Sequence, residues 1–326
     1  MTIKAFTLAA LMLLVCTAVS HLEAADAEKF PNKSITWTIN AAPGGGFDLH
    51  SRAVARTMRK IIGVPIIVKN IPGAGGVISW NLLSRSKPDG YTIGIVNIPG
   101  AIVSQLFGKP KPQYDLKKFE WIGRISAAPY VWAVGAKTPY HNLKDMQKAK
   151  EFLIAESGVG GTAWVVDALS ASSMGFNPKF ILGYPGAPAS NMAIVRGESD
   201  GRALGLDSPG QMRFVHEGLM RPLWVYADKR HPDFPNVTTV REMGYPELAA
   251  LASHRVVAAP PGTPADRLAI LQKAFIQAVK SQDTQEAFKK MRARTSLLTG
   301  PDWLPVMNDL FTLMQENKEG FTKYLK

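Results

Sequence analysis

Ile35-Thr36-Trp37-Thr38-Ile39-Asn40-Ala41-Ala42-Pro43-Gly44-Gly45-Gly46-Phe47-Asp48-Leu49 is the stretch whose reading decides the fold. Ile35, Trp37 and Ile39 alternate with threonines, the period of a strand. Pro43 and three glycines end it. Over 48–62 apolar residues return at Leu49, Ala53, Met58, Ile61 and Ile62, close to helical spacing, and Gly63 closes that helix. A strand over 65–69 follows, then a second glycine-rich loop, Pro72-Gly73-Ala74-Gly75-Gly76. A helix over 77–86, a turn at Pro88-Asp89-Gly90 and a strand over 91–96 complete the unit. Strand and helix in alternation indicate a parallel α/β sheet.

The rhythm continues, with strands expected over 130–134, 152–155, 180–182, 203–206 and 222–226 and helices over 162–174 and 187–196. The tail reads as helices over 264–281, 284–292 and 301–325, expected to pack back on the first domain. There is no fixed-period repeat.

The N-terminus has the layout of a secretory signal peptide: a positive start ending at Lys4, an apolar run over 5–19, and Ala25-Asp26-Ala27 as a small-x-small cleavage site. The run is shorter than the ~18 residues that suggest a spanning helix. Cys16 is the only cysteine and lies inside this leader, so cleavage leaves no thiol for a disulfide, a metal or nucleophilic catalysis. The remaining chain is long enough for two domains. The formal charge of +12 has no long basic run and no interleaved aromatics, which disfavours nucleic acid and fits a general field attracting small anions.

Three glycines between a strand and a helix let the backbone approach a ligand and present its N–H groups. The helix start adds free N–H groups and a positive dipole end. Gly44, Gly45, Gly46 and Phe47 therefore form a candidate anion cradle, and Asp48 is expected to interact with the helix start or brace the loop. Gly46-Phe47-Asp48 lacks the lysine of a nucleotide P-loop, and Leu49 stands where a dinucleotide fingerprint needs glycine, so carboxylate is the better guess. Gly160, Gly161, Thr162 and Ala163 form a similar loop before a helix. Asp207, at the end of a buried strand, reads equally as a ligand contact or as the cap of the next turn. The scattered histidines form no metal or catalytic pattern, and no Gly-x-Ser-x-Gly elbow occurs.

Phe30-Pro31-Asn32-Lys33, Pro43-Gly44-Gly45-Gly46-x-Asp48 with Arg52, Asn70-x-Pro72-Gly73-Ala74-Gly75-Gly76 and Pro88-Asp89-Gly90-Tyr91-Thr92 resemble the first part of the tripartite tricarboxylate transporter receptors (Bug-type receptors). Gly183-Tyr184-Pro185-Gly186-Ala187, Arg196-Gly197-Glu198-x-Asp200, Phe234-Pro235-Asn236-Val237, Gly244-Tyr245-Pro246 and Ala259-Pro260-Pro261-Gly262-Thr263-Pro264 resemble the later part, in order. The resemblance implies a type II periplasmic binding protein fold, two α/β domains with an interdomain ligand cleft. Residues 28–127 with 258–326 would form domain 1 and 128–257 domain 2, after a leader over 1–27. It implies a periplasmic, monomeric, non-enzymatic receptor without cofactor or metal. Such a receptor binds a small organic carboxylate and docks on a membrane permease. One glycine loop would grip one carboxylate, the Gly160-Gly161-Thr162 loop the other end, and Asp207 would line the cleft. Asn97 and Tyr184 complete the expected site. Trp164, where many relatives carry histidine, is expected either to suit a ligand with an apolar or aromatic middle or to pack under the loop. A sensor subunit reporting to a kinase and an anion-handling α/β enzyme are the alternatives; the enzyme would show turnover and a titratable group poised in the cleft.

N-terminal sequencing of the protein released with the periplasmic fraction should begin near Glu28; a functional protein that retains residues 1–27 would contradict the leader.

Overall fold

The computed structural model describes residues 30–325; the expected leader, Cys16 included, lies outside the described residues. β1 (Ile35–Ile39) buries Ile35, Trp37 and Ile39 completely, as their alternation requires. α1 (Gly46–Ile62), β2 (Ile66–Asn70), a 3-10 turn over Ala74–Gly76, α2 (Val77–Arg85) and β3 (Thr92–Ile98) follow in the expected order. After them come α3 (Gly100–Phe107), β4 (Glu120–Gly135), α4 (Leu143–Lys148), β5 (Phe152–Ala155), α5 (Thr162–Met174), β6 (Pro178–Ile181), α6 (Ala187–Arg196) and β7 (Gly201–Gly205). The chain continues through α7 (Pro209–His216), β8 (Met220–Val225), β9 (Thr238–Thr239), β10 (Ala252–Ala259), α8 (Ala265–Lys280), α9 (Gln282–Lys290), β11 (Leu298–Thr299), α10 (Gly300–Glu316) and α11 (Lys318–Thr322). All of these elements belong to one compact unit that begins at Lys33.

The main sheet is mixed, which corrects the expectation of a parallel one. β2 and β3 flank β1 in parallel, but β10 lies antiparallel between β3 and β4. β10 has no counterpart among the expected strands, because Ser253, His254 and Arg255 interrupt its apolar run. β4 is the longest strand and changes partners along its length: through Pro129 it pairs with β10, and from Tyr130 onward with β7 and β8. Its side chains split by parity. Tyr130, Trp132 and Val134 join the larger core with Phe152, Phe176 and Trp224; Val131 and Ala133 join a smaller one with Leu204, Met212 and Phe214. Both faces of the strand are thus covered, as in other α/β sheets. Trp132 stacks on Trp224 with ring centroids 5.2 Å apart.

In the tail, α8 and α9 pack on α1, and Phe288 of α9 meets the His50 ring edge-on at 4.7 Å. α10 packs on β4 and α11 on α5, where Phe321 stacks on Trp164 at 6.4 Å.

His254 sits on β10 between Arg124 and Trp303: Arg124 Nη1 donates to its Nδ1 at 3.3 Å, and its ring lies 5.4 Å from the indole. Burial, then the positive charges of Arg124 and Arg255, push its pKa down to about 3. The unfolded chain, with a histidine near 6.5, therefore takes up a proton that the folded chain refuses, and stability is lost as pH falls from 6.5 towards 3. Between pH 7 and pH 5 this histidine should remove about 2 kcal/mol of unfolding free energy. Urea unfolding of His254→Gln should show a correspondingly smaller loss over that interval; an unchanged pH slope would contradict the assignment.

Candidate functional site

The glycine stretch after β1 is held open by a carboxylate. Gly44 N–H donates to Asp48 Oδ2 at 2.9 Å, while Asp48 Oδ1 accepts from Arg52 Nε at 2.8 Å and Asn70 Nδ2 at 2.9 Å. Asp48 is buried, so its charge is spent within the loop. α1 starts at Gly46, and its first turn leaves N–H groups without intrahelical acceptors. These open on a cavity of about 360 Å³ lined by Gly45, Gly46 and Phe47. The second glycine loop, 73–76, lines it too, as do Gly161 and Ala163 at the start of α5 and Gly186, Ala187 and Pro188 at the start of α6. Three helix N-termini therefore converge on one cavity, each with its positive dipole end inward. Asn40 and Asn97 also line it, and each has a side-chain oxygen with no partner among the described residues.

The expected site residues fall into two groups. Gly45, Gly46, Phe47, Asn97, Gly161, Ala163 and Tyr184 line the cavity. Gly44 and Asp48 lie behind it, bound to each other, and Gly160 packs against Ser104 and Gly100. Thr162 opens α5. Trp164 is fully buried, with Phe180 and Phe321 as ring neighbours. Asp207 is turned to protein partners: its Oδ2 accepts from Arg255 Nη1 at 2.7 Å and lies 3.2 Å from His50 Nε2. Burial works to raise its pKa, but Arg255 and His50 outweigh that and lower it to about 2. His50 itself is pushed below the usual histidine range, first by burial and then by Arg255.

Sequence reasoning missed the charged wall. Arg202, Arg255 and Glu156 line the cavity, although none is more than 3% exposed. Arg202 Nη2 lies 2.5 Å from Glu156 Oε1. Asp167 sits behind them, its Oδ1 accepting from Ala203 N–H at 2.8 Å. Burial raises both carboxyls, Glu156 raises Asp167 further, and Arg202 works against both. Of the two, Asp167 is held further above the usual carboxylate range, because Glu156 adds to the effect of burial. The available signal was an arginine inside an otherwise apolar strand, Arg255 before Val256-Val257-Ala258-Ala259 and Arg202 before Ala203-Leu204.

Residues 50–300 match the model of the tripartite tricarboxylate transporter family receptor. A UPF0065 protein of Bordetella bronchiseptica is 30% identical over 253 residues, 77% of this chain and 74% of that protein. The structure of the periplasmic binding protein BugD is similar with a TM-score of 0.80 at 21% identity, over 89% of this chain and 98% of that one. MatC from Rhodopseudomonas palustris, solved with bound malate, is similar with a TM-score of 0.76 at 22% identity, over 91% of this chain and all (100%) of that one. The fold is the type II periplasmic binding protein fold.

Removing Arg202 leaves Glu156 buried without its cation, which typically costs about 3–5 kcal/mol. Arg202→Met should lower the urea-unfolding free energy by that order, and adding Glu156→Gln should restore part of it; equal stability of wild type and Arg202→Met would refute the pairing.

Proposed function

The chain belongs to the tripartite tricarboxylate transporter receptor family, and from that premise we propose that it captures a small organic carboxylate in the periplasm and delivers it to the membrane permease of a tripartite transporter. The observation that carries this reading is the convergence of three helix N-termini and the 73–76 loop on one cavity. Backbone N–H groups fixed before the ligand arrives favour anionic oxygens and cost little to organise. The volume of about 360 Å³ lies at the small end of ligand pockets, which run from ~300 to ~1,000 Å³.

The proposed receptor has two lobes, 28–127 with 258–326 and 128–257, and both crossings fall inside strands, β4 and β10. One carboxylate is held within the 44–48 loop by the cavity-lining Gly45 to Phe47, and the other within the 160–164 loop by Gly161 and Ala163. MatC holds malate, so four-carbon dicarboxylates are the first ligands to try.

A ligand that binds only the folded state stabilises it by about 4 kcal/mol at a thousandfold excess over its dissociation constant. Since ~1 kcal/mol shifts a mid-sized domain by ~2–4 °C, a thermal-shift screen of di-, tri- and aromatic carboxylates should give a clear rise in Tm. Gly45→Val should abolish it. A Cβ at Gly45 meets only Ala42 O, at 3.4 Å, so the unliganded fold tolerates the change while the valine enters the cavity. A response confined to nucleotides or neutral sugars, or full affinity in Gly45→Val, would overturn the reading.

A further inference from the structure

We propose that Arg255 is a specificity-determining residue of this cavity, its Nη2 joining the free N–H groups at the start of α1 on one ionised carboxylate, with Asp207 as the positioning residue that aims it. The inference rests on the carboxylate reading and adds a side chain to a cradle otherwise made of backbone.

Arg255 is 2% exposed and lines the cavity from β10. Half of its guanidinium is spoken for: Nη1 donates to Asp207 Oδ2 at 2.7 Å and to Ser126 Oγ at 3.3 Å. Nε has no acceptor among the described residues. Nη2 is aimed at the start of α1, 2.9 Å from where a Cβ on Gly46 would stand. A Cβ at that position would make the end of the guanidinium shift, and Gly46 is the first helical residue, where N–H groups lack intrahelical acceptors. The Phe47 ring covers the guanidinium, with Cζ 4.9 Å from its centroid, and so restrains the fork from the other side. A permanent cation and a helix N-terminus thus address the same space, from elements far apart in sequence.

The chemistry that follows is discrimination of charge. Backbone N–H groups donate to a carboxylate and, more weakly, to a neutral amide oxygen; the guanidinium adds a full positive charge that widens the gap in favour of the carboxylate, because charge-assisted hydrogen bonds are roughly twice as strong as neutral ones. Asp207 cannot serve the ligand in the same way, since its Oδ2 is engaged by Arg255 and faces His50.

The test is calorimetric titration of the full mature chain with malate, succinate, adipate, citrate and benzoate, each beside its carboxamide analogue. Arg255→Met alone would strand Asp207 in the interior, so the informative variant is the double Arg255→Met/Asp207→Asn, with Arg255→Lys as the conservative partner and circular dichroism as the check on folding. The expected result is that the folded double variant loses about tenfold or more in carboxylate affinity, as a lost charge-assisted contact implies, while its carboxamide affinity stays within a few-fold. Arg255→Lys should recover part of the discrimination. Asp207→Asn alone should weaken binding yet keep the preference for the charged form. Wild-type affinity in the double variant, or an equal loss for carboxylate and carboxamide, overturns the proposal while leaving the carboxylate reading standing. Failure of the wild type to bind any carboxylate of the panel overturns both.

Discussion

An arginine and an aspartate meet in the interior of this molecule, and the elements around the cavity are arranged so that neither is left alone. Arg255 is 2% exposed and Asp207 7%. A single buried charge costs several kcal/mol, and truncating one partner of such a pair exposes that cost in full. The pair therefore constrains where four pieces of chain can sit: β10 brings Arg255, the end of β7 brings Asp207, β4 brings Ser126 and α1 brings His50. Phe288 on the outer side of His50 ties α9 to the same point. An apolar contact would tolerate a shifted register among these elements; a guanidinium fork held at 2.7 Å would not.

A second buried pair in the cavity lining repeats the device with different members, Arg202 against Glu156, with the buried Asp167 behind them, its pKa raised first by burial and then by Glu156. Each of the two cavity arginines is thus matched by a buried carboxyl partner, Asp207 for Arg255 and Glu156 for Arg202. In the proposed receptor, preference for anions comes from oriented dipoles and from Arg255 Nη2, which act at contact distance. The overall +12 of the chain acts differently, as a long-range field that salt screens within about 8 Å at physiological ionic strength. Attraction and selection are separated physically.

This separation explains what was legible in the sequence. β1, β5, α5 and α6 have the bounds that local pattern predicts, because alternation, helical spacing and flanking glycines are short-range signals. The glycine loops that line the cavity were legible for the same reason. Arg255 and Asp207 are 48 residues apart, and nothing local marks them as partners. The first half of β4 and all of β10 were missed because their polar residues, Arg124, Ser126, Ser253, His254 and Arg255, read as loop until another strand supplies the counter-charges. Trp164 shows the converse. Its place beside a glycine loop suggested ligand contact or packing, and the burial of its ring between Phe180 and Phe321 makes it part of the packing that joins α11 to α5.

The glycines themselves answer to two demands at once. A Cβ on Gly75 would stand 2.6 Å from Val159 O and 2.7 Å from Gly161 N, and one on Gly158 would stand 2.8 Å from Gly75 N. The 73–76 and 157–161 loops therefore touch backbone to backbone at the edge of the cavity, which side chains would prevent. The lack of side chains that leaves backbone facing the cavity is the same property that lets the two loops meet at its edge. A substitution at either loop would disturb the geometry of the cavity-facing backbone and the loop contact together. Arg255 escapes this coupling. It reaches the cavity from the sheet beneath, and its position is fixed by Asp207 and Phe47 rather than by the contact between the loops.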